Sequence, residues 1–309
     1  DVTTGAIRVA RAYTGREMVA HCGYHGWHDW YIGCTSRNRG VPQSAIDQQM
    51  SFGYNDLDSL DEIFRMHPGE VAAVIMEPYC TTMPEDGFLE DVKSLTHQAG
   101  AVLVFDEVGS GFRYNLGGIH QYFGVEPDLA CFGKSMSNGM PVSALVGKAE
   151  VMQVLEDVFY SFTAGGECLS LAATKATLTE MIERDVIVHL WQIGERLKSG
   201  FNRLVMDFGM RAVVESVGLS PKPYVVFNDV GETTALSIKS LFQQEVLKRG
   251  VLSMSIAHCV TYSHTVEDVE YTLGAYQAAF EILAEAIDEG KVEERIEGVP
   301  IQQVFRPVT

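Results

Sequence analysis

The sequence predicts an α/β protein: a mostly parallel sheet with helices on both faces, followed by a smaller C-terminal α/β domain. Three observations carry this. Short apolar runs recur at Val71–Met76, Ala101–Phe105 and Leu129–Phe132, each bounded by turn or charged residues, as parallel strands buried on both faces are. Stretches of helical periodicity separate them. From about Phe208 the texture changes to a second β-α-β-α series, which sets the expected domains at residues 1–207 and 208–309.

The elements are taken in chain order. In Thr3–Tyr13, Ile7, Val9, Ala10 and Ala12 form an apolar side and Arg8 and Arg11 a polar one, an amphipathic helix. Glu17–Cys22 reads as a strand. Next comes Gly23-Tyr24-His25-Gly26-Trp27-His28-Asp29, rich in rings and turn residues. Thr35–Gln43 is a polar loop. Its Arg37 and Arg39 could meet a substrate carboxylate, although a pair of solvated cations is the simpler reading. Asn55–Phe64 is helical. Val71–Met76 is a strand ending in Glu77-Pro78, and Leu89–Gln98 is a helix leading into Ala101–Phe105. Pro141–Val146 reads as another strand and Ala149–Leu155 as a short helix. Leu169–Phe208 carries long helical periodicity with interruptions. In the last third, Arg211–Val217 and Pro223–Phe227 are strands, and Thr233–Lys248 is a helix closed by Gly250. Val251–Val260 is strand and loop, and Thr265–Ile287 is a helix. The tail from Glu293 is charged and then loose.

Composition excludes several classes of function. The chain has 309 residues, enough to bury a large core, and a formal net charge of −18. A surface that acidic argues against nucleic acid and anionic membrane as partners. No apolar run reaches the ~18 residues of a membrane-spanning helix, and the start carries no signal-peptide pattern. The six cysteines are scattered, without CxxC or metal-ligand spacing. Thiols so placed suit a reducing, cytoplasmic compartment.

The chemistry concentrates after two of the strands. Ala101–Phe105 is followed by Asp106-Glu107, and Leu129–Phe132 by Gly133-Lys134. Ligands of open α/β sheets bind beyond the carboxyl ends of the strands, so an acid and an amine would converge on one crevice. A lysine there can form a Schiff base with an aldehyde cofactor. Pyridoxal phosphate (PLP) also needs an acid beside its ring nitrogen, to keep the ring an electron sink. A turn cap at Asp106 and a solvated loop cation at Lys134 account for the same two residues. In the Tyr24–Asp29 stretch, His25, His28 and Asp29 could hold a metal, but no further His/Cys cluster completes a site. An aromatic turn packed on the core is the bland alternative.

Two longer motifs decide between these readings. DEVxxGFR spans Asp106–Arg113, and PDLxxxGKxxxxGxP spans Pro127–Pro141. Together they resemble the signature of the class III PLP-dependent aminotransferases, most closely the branch of glutamate-1-semialdehyde 2,1-aminomutase, and the resemblance covers essentially the whole chain. It implies the fold-type I architecture of PLP enzymes, with Lys134 binding the cofactor aldehyde and Asp106 its ring nitrogen. It also implies Tyr24, in the Tyr24-His25-Gly26 segment, stacked on one ring face, and Val108 packed on the other. His25 and Glu77 are implied as supporting cofactor-site residues. Thr163, in FYSFTAGGECL, is implied to reach the phosphate of a neighbouring subunit, which makes the protein a homodimer with shared active sites. A helix N-cap before Leu169 is the competing reading of Thr163.

The implied activity is transfer of an amino group between a small-molecule amino donor and an aldehyde or keto acceptor, the acceptor a sugar or sugar acid. The aminomutase is the alternative. Trp27 and the SMSNGMP run after Lys134 depart from its pattern. The chain starts at Asp1, inside a helical pattern, whereas the family carries a segment before this point with part of the phosphate loop. That leaves a non-catalytic fragment or pseudoenzyme as a further alternative.

Overall fold

A computed structural model of the chain describes residues 1–252 and 258–302. The described residues divide into two compact units, 1–184 and 185–302.

The first unit is built on a six-stranded sheet. Its strands are β1 (Met18–Cys22), β2 (Gln49–Ser51), β3 (Val71–Met76), β4 (Val102–Asp106), β5 (Leu129–Phe132) and β6 (Ala144–Gly147), in the order β2-β1-β3-β4-β5-β6. All neighbours pair in parallel except β5 and β6, where Leu129 faces Gly147 and Phe132 faces Ala144. Fold-type I architecture is thus what the sequence forms.

The all-apolar strands are explained by what covers them. Side chains alternate across a strand. From one face Val19, Ala73, Ile75, Val102, Val104 and Leu129 pack against Val2, Ala6, Ile7, Val9 and Ala10 of the helix Val2–Thr14. From the other, Ala20, Val74, Met76, Leu103 and Phe105 pack against Leu60 of the helix Leu57–Met66 and Phe88, Leu89 and Val92 of the helix Phe88–Gln98. Each buried Leu, Ile or Phe contributes about 1.5–3 kcal/mol on this basis.

At the amino ends of β4 and β5, Asp128 is a structural staple. Its carboxylate accepts the Leu103 N–H at 2.8 Å, Nε2 of His97 at 3.0 Å and the Lys148 ammonium at 2.7 Å. These donors hold its carboxyl below the usual carboxylate range despite its burial.

Three expected elements shift. The strand expected at Pro141–Val146 begins at Ala144, because Pro141 has no N–H for a ladder and Met140 and Val142 lie in a turn. The long helical stretch is two helices, Cys168–Glu183 and Val186–Asp207. Asp185 interrupts it with φ 48°, a left-handed conformation that acidic and amide side chains tolerate better than most. The second unit begins there rather than at 208, since Phe201 of the helix Val186–Asp207 is a central core residue of that unit.

The second unit pairs β7 (Val214–Val217) with β8 (Tyr224–Phe227) as an antiparallel ribbon, and adds the helices Ala235–Lys248 and Val266–Asp288. Phe201, Phe242, Tyr276 and Phe280 form its aromatic centre, with Phe242 and Phe280 at 5.0 Å between centroids. A capping box of Thr265 and Asp268 starts the last helix. The middle of the strand-and-loop expected at Val251–Val260 lies outside the described residues, as does the end of the tail. All six cysteines are free. Among the described residues no helix is long and apolar enough to cross a membrane.

Candidate active site

The carboxyl ends of four adjacent strands, β1, β3, β4 and β5, surround one cavity of about 290 Å³. Each strand supplies residues from its carboxyl end or the loop just beyond it. Tyr24 and His25 come after β1, Glu77 after β3, Asp106 and Val108 at the end of β4, and Gly133-Lys134 after β5. Asp1, Val2 and Thr3 close it from the start of the first helix, and Val142 and Ser143 from the turn before β6. Strand β1 has β2 on one side and β3 on the other, so the chain reverses direction across the sheet there. Such a switch point leaves an open crevice.

Asp106 is at the bottom and is 4% exposed. Its Oδ1 accepts the Val108 N–H at 3.0 Å, and its Oδ2 lies 2.9 Å from Nδ1 of His25. The other nitrogen of His25 is 3.1 Å from the Cys22 carbonyl oxygen. Trp30 stacks parallel to it at 6.3 Å, and the Thr3 hydroxyl donates to the His25 carbonyl at 2.8 Å. The loop carrying Tyr24 and His25 turns at Gly23 (φ 101°) and Gly26 (φ 110°), conformations that a side chain would strain.

Lys134 is exposed and opens a 3₁₀ turn, Lys134–Ser137, with φ 44°. A lysine in the left-handed region is a local strain, of the kind that concentrates where function fixes the backbone. Tyr24 is 51% exposed, its ring edge-on to Tyr31 at 5.6 Å. Two cysteines near the site are inert. Burial pushes the Cys22 thiol up to about 12, with help from Glu77 and Cys80, and burial with the Asp106 charge holds the Cys131 thiol well above its ordinary value.

Six of the seven residues expected in the site therefore share this cavity: Lys134, Asp106, Val108, Tyr24, His25 and Glu77. Thr163 stands elsewhere, exposed in the turn 163–166. His28 pairs with Asp1 at 3.0 Å while His25 pairs with Asp106, so the histidines of the His-x-x-His-Asp run serve different carboxylates. Sequence reasoning gave His25 no stated partner, because the 81 residues separating it from Asp106 carry no signal of contact.

The model of the class III aminotransferase family matches residues 2–220. The chain belongs to that family. It is 38% identical over 284 residues to a 3-aminobutyryl-CoA aminotransferase of Cloacimonas acidaminovorans, covering 89% of this chain and 67% of that protein. It is 34% identical to a glutamate-1-semialdehyde 2,1-aminomutase of Alkaliphilus oremlandii, covering 90% and 70%. The FumI protein of Sphingopyxis sp. MTA144, solved in a PLP form, superposes with a TM-score of 0.85 at 28% identity, over 93% of this chain and 70% of that one. This class III aminotransferase is thus a PLP-dependent enzyme, and the cavity fits the cofactor. It pairs a buried carboxylate, held by donors on both oxygens, with an exposed amine at the adjacent strand end.

Behind His25 lies His21 of β1, 3% exposed, with neither ring nitrogen partnered among the described residues. Burial, with His25 beside it, pushes its pKa down to about 3. The unfolded chain binds this proton below about 6.5, and the folded one does not. The stability is therefore whole above 6.5 and is lost as pH falls, by about 1.4 kcal/mol per unit. His21→Phe should flatten that acid limb, narrowing the difference in stability between pH 7 and 4.5 by roughly 3 kcal/mol in urea titrations. An unchanged limb would show that His21 does not titrate this way.

Proposed function

We propose that the protein transfers an amino group between a small-molecule amino donor and an aldehyde or keto acceptor, using PLP held by Lys134 and Asp106. The observation that supports this most is the convergence of Lys134, Asp106, Tyr24 and Val108 on one cavity at the strand ends. When bound, PLP supplies an aldehyde that captures primary amines and a cationic ring that accepts an electron pair.

The chain's own residues do the rest. Asp106, which accepts the Val108 N–H and pairs with Nδ1 of His25, would hold the proton of the ring nitrogen. Tyr24 and Val108 would confine the ring between them, and Lys134 would hold its aldehyde end. The Lys134 Nζ, when free, would be the group that moves the proton at the substrate's amine-bearing carbon. Glu77 lies against both cavity loops. One of its carboxylate oxygens is 3.5 Å from where a Cβ on Gly23 would sit, the other 3.3 Å from that on Gly109. It supports the site without meeting the reacting atoms.

The relative that acts on 3-aminobutyryl-CoA widens the acceptor and donor classes beyond the sugar expected from the sequence. Intramolecular transfer, as in an aminomutase, is a second reading favoured by the 34% identical relative. Incubating the intact protein with PLP, candidate donors and 2-oxoglutarate separates them. Net formation of glutamate supports the aminotransferase, and isomerisation without exchange supports the aminomutase. Absence of both, with no PLP bound, would leave a non-catalytic module.

The working unit in this reading is a homodimer. Thr163 is exposed among Phe159 (79% exposed), Phe162 (49%) and Leu169 (66%), an apolar surface suited to a second copy. Mixing Lys134→Ala with Thr163→Val protomers should then restore part of the activity that each homodimer loses. No restoration would count against a shared site.

A further inference from the structure

Glu107 sits between the two residues that hold the ring, Asp106 and Val108, and is 0% exposed. Its carboxylate meets four donors. Oε2 accepts the Ser110 hydroxyl and the Ile119 N–H at 3.0 Å; Oε1 accepts the His120 N–H at 2.9 Å and Nδ1 of His120 at 2.8 Å. Four donors fill the lone-pair positions of a carboxylate. No acceptor position is left to meet a ligand.

Its backbone is tied as firmly. The Glu107 N–H donates to the Cys131 carbonyl at 2.9 Å, extending the pairing of β4 with β5, and its carbonyl accepts the Gly111 N–H at 2.7 Å. Two glycines make room. A Cβ on Gly118 would come within 2.9 Å of Oε1, and one on Gly111 within 2.7 Å of the Glu107 carbonyl oxygen and into the Phe132 ring. Phe132 in turn precedes Gly133-Lys134. The whole loop 107–120 is thereby folded around one buried charge. From that loop the cavity receives Val108 and Gly109.

Burying a carboxylate away from water is costly unless its donors are complete. Here it lies one residue from the cofactor acid, in the loop that forms one cavity wall. We propose that Glu107 is a positioning residue for the cofactor ring: by gathering Ser110, Ile119 and His120 it fixes the Val108 wall and the Asp106 carboxylate relative to Lys134. This rests on the PLP reading above. It differs from a general stabilising role, because displacement of these groups by a fraction of an ångström should be felt in ring binding and chemistry before folding fails.

The test uses the intact protein, PLP titration followed by the visible cofactor band, and steady-state kinetics. Glu107→Gln replaces one acceptor oxygen by a donor, which on either side faces a backbone N–H, that of Ile119 or that of His120. Asp128→Asn is the control, loosening the staple at the opposite ends of the same strands, roughly 13 Å away. Glu107→Gln is expected to weaken PLP binding about tenfold or more, move the pH midpoint of the band, and lower kcat about tenfold with KM for the donor little changed. Ser110→Ala, which removes one donor of four, should fall between. Asp128→Asn should lower Tm and leave band and kcat at parental values. The proposal is overturned if Glu107→Gln and Ser110→Ala keep the parental PLP affinity and band. It is overturned too if Asp128→Asn, at matched loss of Tm, shows the same cofactor defect. A parent that binds no PLP overturns the cofactor reading itself, and this inference with it.

Discussion

Lys134→Ala should lose amino transfer by roughly 10³-fold or more, the combined effect of removing the anchoring amine and the base that moves the proton. The fold should survive. Lys134 is exposed, and alanine relieves nothing in the core. Part of the PLP affinity should also remain, because Asp106, His25, Tyr24 and Val108 are untouched. The variant is therefore expected to bind PLP while lacking the visible band of the parent, with a Tm within a few degrees of it. A variant that turns over at a tenth of the parental rate would show that another group does the proton work.

Asp106→Asn should be the next most severe change. It takes the charge from a carboxylate that is 4% exposed and leaves Nδ1 of His25 opposite a neutral amide. Breaking a buried pair of this kind costs about 3–5 kcal/mol, equivalent to roughly two to nearly four orders of magnitude. The loss should appear in kcat and in PLP affinity together, since the same oxygens serve both. Asp106→Glu keeps the charge but displaces it by a methylene, so it should lie between Asn and the parent. Equal effects of Glu and Asn would mean that placement, not charge, is what Asp106 provides. Parental rates for Asn would remove it from the site.

Much of the architecture is legible in the chain because buried parallel strands read as unbroken apolar runs. Val71–Met76 and Leu129–Phe132 carry the same bounds in sequence and structure, and the central strand differs by one residue. The site is legible for a related reason. Lys134 and Asp106 each come directly after such a run, and strand ends converge on one crevice whatever lies between them. What sequence could not show depends on distance in space. The contact of His25 with Asp106, the four donors around Glu107, and the left-handed break at Asp185 have no periodic signature. The break matters for the domain division, because helical periodicity runs on either side of it to Asp207 while Phe201 packs in the second unit. Pro141 misleads in the opposite sense, since an apolar stretch beside it reads as strand before the ladder begins.

Capture of the cofactor aldehyde by the amine of Lys134, with Asp106 at the ring nitrogen, has a direct covalent test. The intact protein is incubated with PLP, reduced with borohydride, digested, and its peptides weighed. The expected result is a single modified peptide, bearing one phosphopyridoxyl group on Lys134. Modification spread over surface lysines such as Lys148 and Lys175, with Lys134 unmodified, would contradict it.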